Sequence, residues 1–291
     1  MDTRKEVEEE RERLKQNVSR IKHKIAIISG KGGVGKSTVT VNLAMAFAMH
    51  GYAPVGILDA DIHGPSIPKM LGLRGQRLQA LPAGIIFPVI GPLGMRVVSM
   101  DFLLPNGDSP VVWRGPLKMR AIQQFLSDIM WGDLDVLLVD LPPGTGDEPL
   151  SIMQLIPDMD GVIIVTIPSE VSQVVVRKAV TFAKELSVPV IGIIENMSGF
   201  VCPKCGAKVD IFKTGGGRRI AEDMGVPFLG DIPIDPQICA DSDDGKPFIV
   251  EHPGSPASKA FMDIVRRIEE YLKERKPFKA SLKDLKGELN V

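Results

Sequence analysis

The sequence predicts an α/β protein: a doubly wound, mostly parallel sheet with helices on both faces. Three observations carry that expectation. Short runs of β-branched and aliphatic residues alternate with stretches whose apolar positions recur at helical spacing, the pattern of a parallel sheet with crossover helices. A glycine-rich loop, Gly30-Lys31-Gly32-Gly33-Val34-Gly35-Lys36-Ser37, joins one such run to a helical stretch. Two of the apolar runs end in an aspartate, Asp59 and Asp140, at the strand edge where open α/β sheets gather their ligands.

The elements follow in order. Residues 3 to 22 mix acidic and basic groups, with Val7, Leu14, Val18 and Ile21 at roughly helical spacing, which predicts a leading helix laid on the domain surface. Ile25 to Ile28 is an apolar strand that feeds the glycine loop. Thr38 to His50 is then a helix with Val41, Leu43, Ala44, Phe47 and Ala48 inward, and Gly51 is its stop signal. Val55 to Leu58 is a short buried strand ending at Asp59 and Asp61. The Gly- and Pro-rich residues 62 to 94 read as loop with short elements, and Met95 to Met100 as a strand. Helical spacing resumes from Pro116 to Trp131, and Leu134 to Val139 is a strand that runs into Asp140-Leu141-Pro142-Pro143-Gly144. Val162 to Ile167 and Val190 to Ile194 are further strands, with a helix from Val171 to Leu186 between them. Phe228-Leu229-Gly230 makes a last short strand, and Ala257 to Lys273 a closing amphipathic helix. The chain thus divides into a charged helical extension (1–23), a nucleotide-binding domain that includes a Cys-x-x-Cys loop (24–275) and a C-terminal tail (276–291).

Composition narrows the classes of function. With 291 residues and 44% hydrophobic content, the chain can fill one substantial core. A formal charge of −1 gives no global reason to expect nucleic acid as a partner. No apolar run reaches the ~18 residues of a membrane span, and Met1 to Lys24 lacks the apolar stretch of a secretion signal. The tail from Ser281 carries Leu282, Leu285 and Leu289 among charges of both signs, little apolar bulk for gripping a membrane. The simplest expectation is a cytoplasmic protein.

A glycine loop between a strand and a helix N-terminus is a phosphate cradle: the glycines let successive N–H groups converge, and the helix dipole adds a favourable field. Gly30, Lys31, Gly32, Gly33, Val34, Gly35, Lys36, Ser37 and Thr38 are the expected nucleotide-binding set. Lys36 would reach the β- and γ-phosphates, and the Ser37 hydroxyl would help hold Mg²⁺. Asp140, ending a buried strand, is the carboxylate partner of Mg²⁺ through a coordinated water. The segment Pro142 to Asp147 resembles a switch II loop, which implies that the Gly144 N–H would sense the γ-phosphate. Asn196 ends a strand, and its amide suits the donor and acceptor edge of adenine. The chain has no Asn-Lys-x-Asp run of a guanine reader, which favours ATP. His63 reads as a structural donor.

Three cysteines are too few and too unevenly placed for a secreted disulfide framework. Cys202 and Cys205 share one tight turn, Cys202-Pro203-Lys204-Cys205-Gly206. A metal suits that turn, and a redox-active dithiol is the competing reading. Two thiolates are half of a tetrahedral site. A two-fold dimer supplies the other half, and four thiolates hold either zinc or an iron–sulfur cluster. Cys239 reads as a small buried thiol.

The pattern Lys31-Gly32-Gly33-Val34-Gly35-Lys36-Ser37-Thr38, with its second lysine at 31, resembles the deviant Walker-A ATPases. That group includes the nitrogenase iron protein, the arsenite-pump ATPases and the division-site and partition ATPases. The resemblance implies that Lys31 reaches across a homodimer to the partner's nucleotide. It also implies that Asp61 orients or activates the attacking water, with Asp59 near the Mg²⁺ shell. Lys31, Lys36 and Asp61 are then the catalytic set, and Ser37, Asp59 and Asp140 the magnesium set. Asn196 and Asp235, the latter within Ile232-Pro233-Ile234-Asp235-Pro236, would surround the adenine.

A narrower resemblance runs from about Ile25 to His252. Its motifs are Asp59-Ala60-Asp61-Ile62-His63-Gly64-Pro65-Ser66, Val112-Trp113-Arg114-Gly115-Pro116 and the run Asn196 to Gly206. Ile211-Phe212, Gly215-Gly216-Gly217 and Val226-Pro227-Phe228-Leu229-Gly230 complete them. Together they resemble the Mrp/ApbC group of iron–sulfur cluster carrier ATPases. The resemblance implies a slow ATP hydrolase that holds a [4Fe–4S] cluster on Cys202 and Cys205 between two subunits. Its implied partners are a cluster-assembly scaffold and the apo-proteins that receive the cluster. The chain departs from some relatives in lacking an N-terminal cysteine cluster, and in having a helix where others carry a small domain. A positioning ATPase with a structural zinc at the dimer interface is the alternative.

Overall fold

The computed structural model describes residues 3–81, 84–104, 113, 115–156, 158–202 and 204–274. Twelve strands lie among them: β1 (Ile21–Ser29), β2 (Val55–Asp59), β3 (Gln79–Ala80), β4 (Ile86–Phe87), β5 (Val89–Ile90), β6 (Arg96–Ser99), β7 (Leu134–Asp140), β8 (Gly161–Thr166), β9 (Val190–Glu195), β10 (Phe200–Val201), β11 (Lys208–Val209) and β12 (Phe228–Asp231). The helices are α1 (Thr3–Ser19), α2 (Lys36–Met49), α3 (Ile67–Met70), α4 (Gly115–Ser127), α5 (Asp147–Leu155), α6 (Glu170–Glu185), α7 (Gly216–Met224), α8 (Pro236–Asp244), α9 (Phe248–Glu251) and α10 (Pro256–Glu274).

Eight strands form one sheet in the order β12-β9-β8-β1-β7-β2-β6-β5. Every pairing is parallel except that of the edge strand β5 with β6. This is the doubly wound sheet the sequence predicts. Alternation along the central strands serves both faces. Ile25 and Ile27 of β1 join a core with α2 and α10, while Ala26 and Ile28 join the opposite core with α4, α6 and α7. α2 is buried nearly all round, as befits a helix sandwiched between sheet and outer helices. Register sets the site, since Asp59 pairs with Asp140 at the carboxyl ends of β2 and β7.

The leading helix does lie on the surface, burying only Leu14 and Val18 of its described side chains. It is pinned by Asn17, whose amide donates to the carbonyls of Leu126 (3.3 Å), Ser127 (2.7 Å) and Ile129 (3.2 Å), satisfying the C-terminal end of α4. Ile21, expected to extend that helix, instead opens β1. α4 stops at Ser127, short of Trp131. Trp131 is fully buried, and its Nε1 donates to the Phe125 carbonyl at 2.8 Å. Cys239, expected as a buried thiol, is exposed, because α8 buries only Asp241. The helices α5, α7 and α8 escaped the sequence reading. Each is only 9 residues long, too short for an apolar period to stand out from its surroundings.

Candidate functional site

Beyond β1 the chain turns sharply through the glycine loop. Gly33 and Gly35 both have φ of 78°, a left-handed conformation that glycine adopts without cost. Gly30 packs on α6, where an added Cβ would lie 2.5 Å from Val175 Cγ1. α2 begins at Lys36 without a side-chain cap and without an acidic residue in its first turn. Its orphan N–H groups and positive end are therefore offered to an anion held by the loop.

The buried groups behind the loop converge on Asp140. Ser37 Oγ donates to its Oδ2 at 2.6 Å, and Thr40 Oγ1 to its Oδ1 at 2.7 Å. Lys36 Nζ lies 2.7 Å from Oδ2 as an ion pair, yet it is buried without a hydrogen-bond partner among the described residues. A buried ammonium with unspent donors fits a phosphate oxygen. Thr40 was missed by the sequence reading. Its position one turn after Ser37 puts it on the same helix face, the signal that would have found it.

Asp59 is also fully buried, and Ser99 Oγ donates to its Oδ2 at 3.0 Å. Burial, and next the Asp140 charge, push its carboxyl well above the usual range, with Lys36 and Ser99 opposing. Two buried carboxylates and a hydroxyl are hard oxygen donors that suit Mg²⁺ and would be relieved by it. Asp61 is half-buried; its N–H donates to Asp59 Oδ1 and its Oδ1 accepts from the Gly64 N–H, each at 3.3 Å. His63 is exposed. The Gly144 N–H, expected to sense a γ-phosphate, donates instead to the Ser29 carbonyl at 2.8 Å. It continues the β1–β7 ladder, since the Leu141 N–H donates to Ile27 just before it.

At the far side of the loop, Asn196 is buried and its Nδ2 donates to the Val34 carbonyl at 2.9 Å. Asp235 caps α8, accepting from the Gln237 N–H at 3.0 Å. Both lie beside the cysteine hairpin, because the Ser198 N–H donates to Ile232 and the Ile234 N–H to Gly199. In that hairpin β10 and β11 pair antiparallel. The Cys202 N–H donates to Ala207 at 2.9 Å and the Gly206 N–H to Cys202 at 2.8 Å, with Gly206 at φ 72°. The N–H groups of Cys205 and Lys204, then the Cys205 side chain, hold the Cys202 thiol below its usual range. N–H donors aimed at sulfur stabilise a thiolate, the ligand form. Cys202 is half-buried and Cys205 exposed. No group of three or more His, Cys, Asp and Glu is placed to hold a metal among the described residues. The pair stands alone in one chain.

The profile of the ParA family, described as NUBPL iron-transfer P-loop NTPase, matches residues 20–269. The chain belongs to this family. Among the relatives of this chain is the iron-sulfur cluster carrier protein of Saccharolobus solfataricus. It is 55% identical over 256 residues, covering 88% of this chain and 86% of that protein. The iron-sulfur cluster carrier protein of Methanocaldococcus jannaschii is 54% identical over 275 residues, covering 94% and 93%. A solved nucleotide-binding protein from Archaeoglobus fulgidus, in complex with ADP, superposes with a TM-score of 0.75 at 40% identity, covering 87% of this chain and 96% of that one. The septum site-determining protein MinD of Pyrococcus horikoshii has a TM-score of 0.62 at 22% identity, covering 85% and 96%. It shares the fold.

Exposed apolar residues lie on two neighbouring segments, α6 and the stretch after the cysteine hairpin. Val171 and Val174 on α6 are 71% and 60% exposed, and Ile211 and Phe212 after the hairpin are 50% and 52% exposed. A 2.7 Å ion pair between the exposed Lys213 and Glu170 shows that the two segments are neighbours. Exposed apolar side chains gathered on neighbouring segments are the composition of an interaction face.

Proposed function

We propose that this protein binds and hydrolyses ATP and carries a [4Fe–4S] cluster, held between two copies of the chain and passed to apo-proteins. The observation that carries the reading is the Cys202–Cys205 turn. It presents a thiol held below its usual range by neighbouring N–H groups, and half a ligand set, on the loops that also flank the phosphate loop. Two such turns facing across a two-fold axis supply four thiolates. The apolar face around Val171, Val174, Ile211 and Phe212 suits the contact between copies. The names of the relatives agree with this cargo.

In the nucleotide site, the N–H groups of residues 30–38 and Lys36 bind the phosphates. Ser37, Asp59 and Asp140 would hold Mg²⁺, which when bound neutralises charge on the β- and γ-phosphate oxygens. Asp61 orients the water and accepts its proton as the water oxygen bonds to the γ-phosphorus and the bond to the β-γ bridging oxygen breaks, leaving ADP and phosphate. Lys31 is half-buried and has no ion pair among the described residues, so its ammonium is free to reach the partner's nucleotide as negative charge shifts. Asn196 and Asp235 border the base, and Asn196 acts in part through the loop it holds. No described helix is long and apolar enough to cross a membrane. The reading places the carrier in the cytoplasm, loaded by a cluster-assembly scaffold.

Anaerobic reconstitution with iron and sulfide, followed by metal and sulfide analysis, tests it. About four iron and four sulfide per dimer are expected, transferable to an apo-protein. Cys202→Ser should lose the iron and keep ADP binding. Zinc alone, with no cluster taken up, would sink the carrier reading in favour of a structural zinc. A Cys202–Cys205 disulfide without metal would favour the redox dithiol.

A further inference from the structure

Glu195 and Asn196 stand side by side where β9 ends, between the phosphate loop and the cysteine hairpin, and the chemistry above uses only Asn196. Glu195 is fully buried. Its Oε1 accepts from the Ser198 hydroxyl at 2.5 Å and from the Gly215 N–H at 2.8 Å, and its Oε2 accepts from the Gly217 N–H. Ser198 precedes the cysteine hairpin and Gly215 follows it. One carboxylate therefore draws the two ends of the hairpin together at its base.

Within the triple glycine, Gly217 is the residue that makes room for this carboxylate. Gly215 has φ 76°, and a Cβ on Gly217 would lie 3.1 Å from Glu195 Cβ. A Cβ on Gly216 would lie 2.7 Å from the Pro168 carbonyl oxygen. α7 has no side-chain cap of its own, so Glu195 caps it from another strand, and the helix dipole favours the charge there. Glu195 has no ion pair among the described residues. Its burial is compensated by these donors and by the helix end. Opening the hairpin base would strand the charge, so the hairpin and the carboxylate hold each other.

Asn196 carries the connection to the nucleotide side. Its Nδ2 holds the Val34 carbonyl, and Gly35 sits so close that an added Cβ would lie 2.3 Å from the same nitrogen. A shift of the loop around a nucleotide moves Asn196 directly, and Glu195 is the next residue of the same strand end.

We propose that Glu195 is a positioning residue that couples the phosphate loop to the cysteine turn within one subunit, so that nucleotide binding changes the exposure of Cys202 and Cys205. This rests on the assignment of the two sites above. It differs from coupling that runs only through the contact between copies.

The test uses the full chain with Cys239→Ser as parent, because Cys239 is exposed and would react as well. Iodoacetamide alkylation of Cys202 and Cys205 is followed by peptide mass spectrometry, with and without saturating Mg-ADP, and ADP affinity is measured by calorimetry. In the parent, Mg-ADP should change the alkylation rate about fivefold or more. Glu195→Gln keeps the side-chain volume but turns an NH₂ group toward backbone donors. Its ratio of rates should fall to about one, while ADP affinity changes less than about threefold. Ser198→Ala, which leaves both backbone bonds, should give an intermediate ratio.

An unchanged ratio in Glu195→Gln overturns the proposal. So does a parent without an ADP effect, or a variant whose thiols react faster by the same factor in both states. If Glu195→Gln does not fold, Ser198→Ala decides: a full parental ratio overturns the proposal and a reduced one supports it. Thiol rates are read without any cluster. A chain that takes up no iron therefore fails the carrier reading and leaves this result standing on its own.

Discussion

Asp59 tests the electrostatics of the site most directly. It is fully buried beside Asp140 in the register, with the Ser99 hydroxyl at 3.0 Å and the Asp61 N–H at 3.3 Å as its hydrogen bonds. Burial, and then the Asp140 charge, raise its carboxyl well above the usual range. The sign follows from proton linkage. The folded protein keeps a proton that the unfolded chain releases near about pH 4. Stability is therefore fully present below that value and declines as pH rises toward the raised folded value. Each pH unit of that window costs about 1.4 kcal/mol. Asp59→Asn removes the titration and keeps an acceptor for Ser99. Without nucleotide and with EDTA, the variant should be more stable at about pH 7.5 by on the order of 1–3 kcal/mol. For a chain of this size that is about 2–8 °C in Tm. Scanning calorimetry from about pH 4 to about pH 8 should show the gain shrinking toward acid. Mg²⁺ should add less to the ADP-induced rise in Tm than it adds in the parent. A variant that melts below the parent at neutral pH, or a gain that persists unchanged in acid, would refute the reasoning.

Three further outcomes are expected. Gly35→Ala forces a side chain into φ 78° and onto Asn196 Nδ2; it should weaken ADP binding by about tenfold or more and cost ~1–3 kcal/mol, and calorimetry showing parental affinity would contradict this. The alkylation pH profile of Cys202 should have its midpoint below that of an ordinary thiol, and Cys205→Ala should move it upward, since Cys205 supplies part of the lowering. Asn17→Ala loses three bonds to the end of α4; urea denaturation should show a loss of about 1–2 kcal/mol with ADP affinity unchanged.

The sheet and the phosphate loop were legible because their signals are local. An apolar strand run, glycines for positive φ, and a lysine and a hydroxyl at set offsets all lie within one stretch of chain. Asp140 was legible as a strand-end acid. The short helices α5, α7 and α8 were not, since 9 residues hold too few apolar positions for a period to show. Cys239 misled the reading, because a cysteine carries no mark of which face of a helix it occupies. Asn196 was expected to meet the adenine edge, but its bond to Val34 was not foreseen, and Glu195 passed unnoticed. Val34 lies 162 positions from Asn196 and Gly217 lies 22 from Glu195, and no sequence spacing announces such contacts.

By itself, the sequence determined that this chain makes a phosphate loop on a parallel sheet and carries a two-cysteine turn. Backbone conformation and ligand chemistry there depend on residue type over a few positions. Only the tertiary structure decided that Asp59 and Asp140 share one buried space, and that a single carboxylate ties the cysteine hairpin to α7. Those contacts follow from strand register and from where β9 ends in space. Both are outcomes of packing the whole sheet, which no short run of residues encodes.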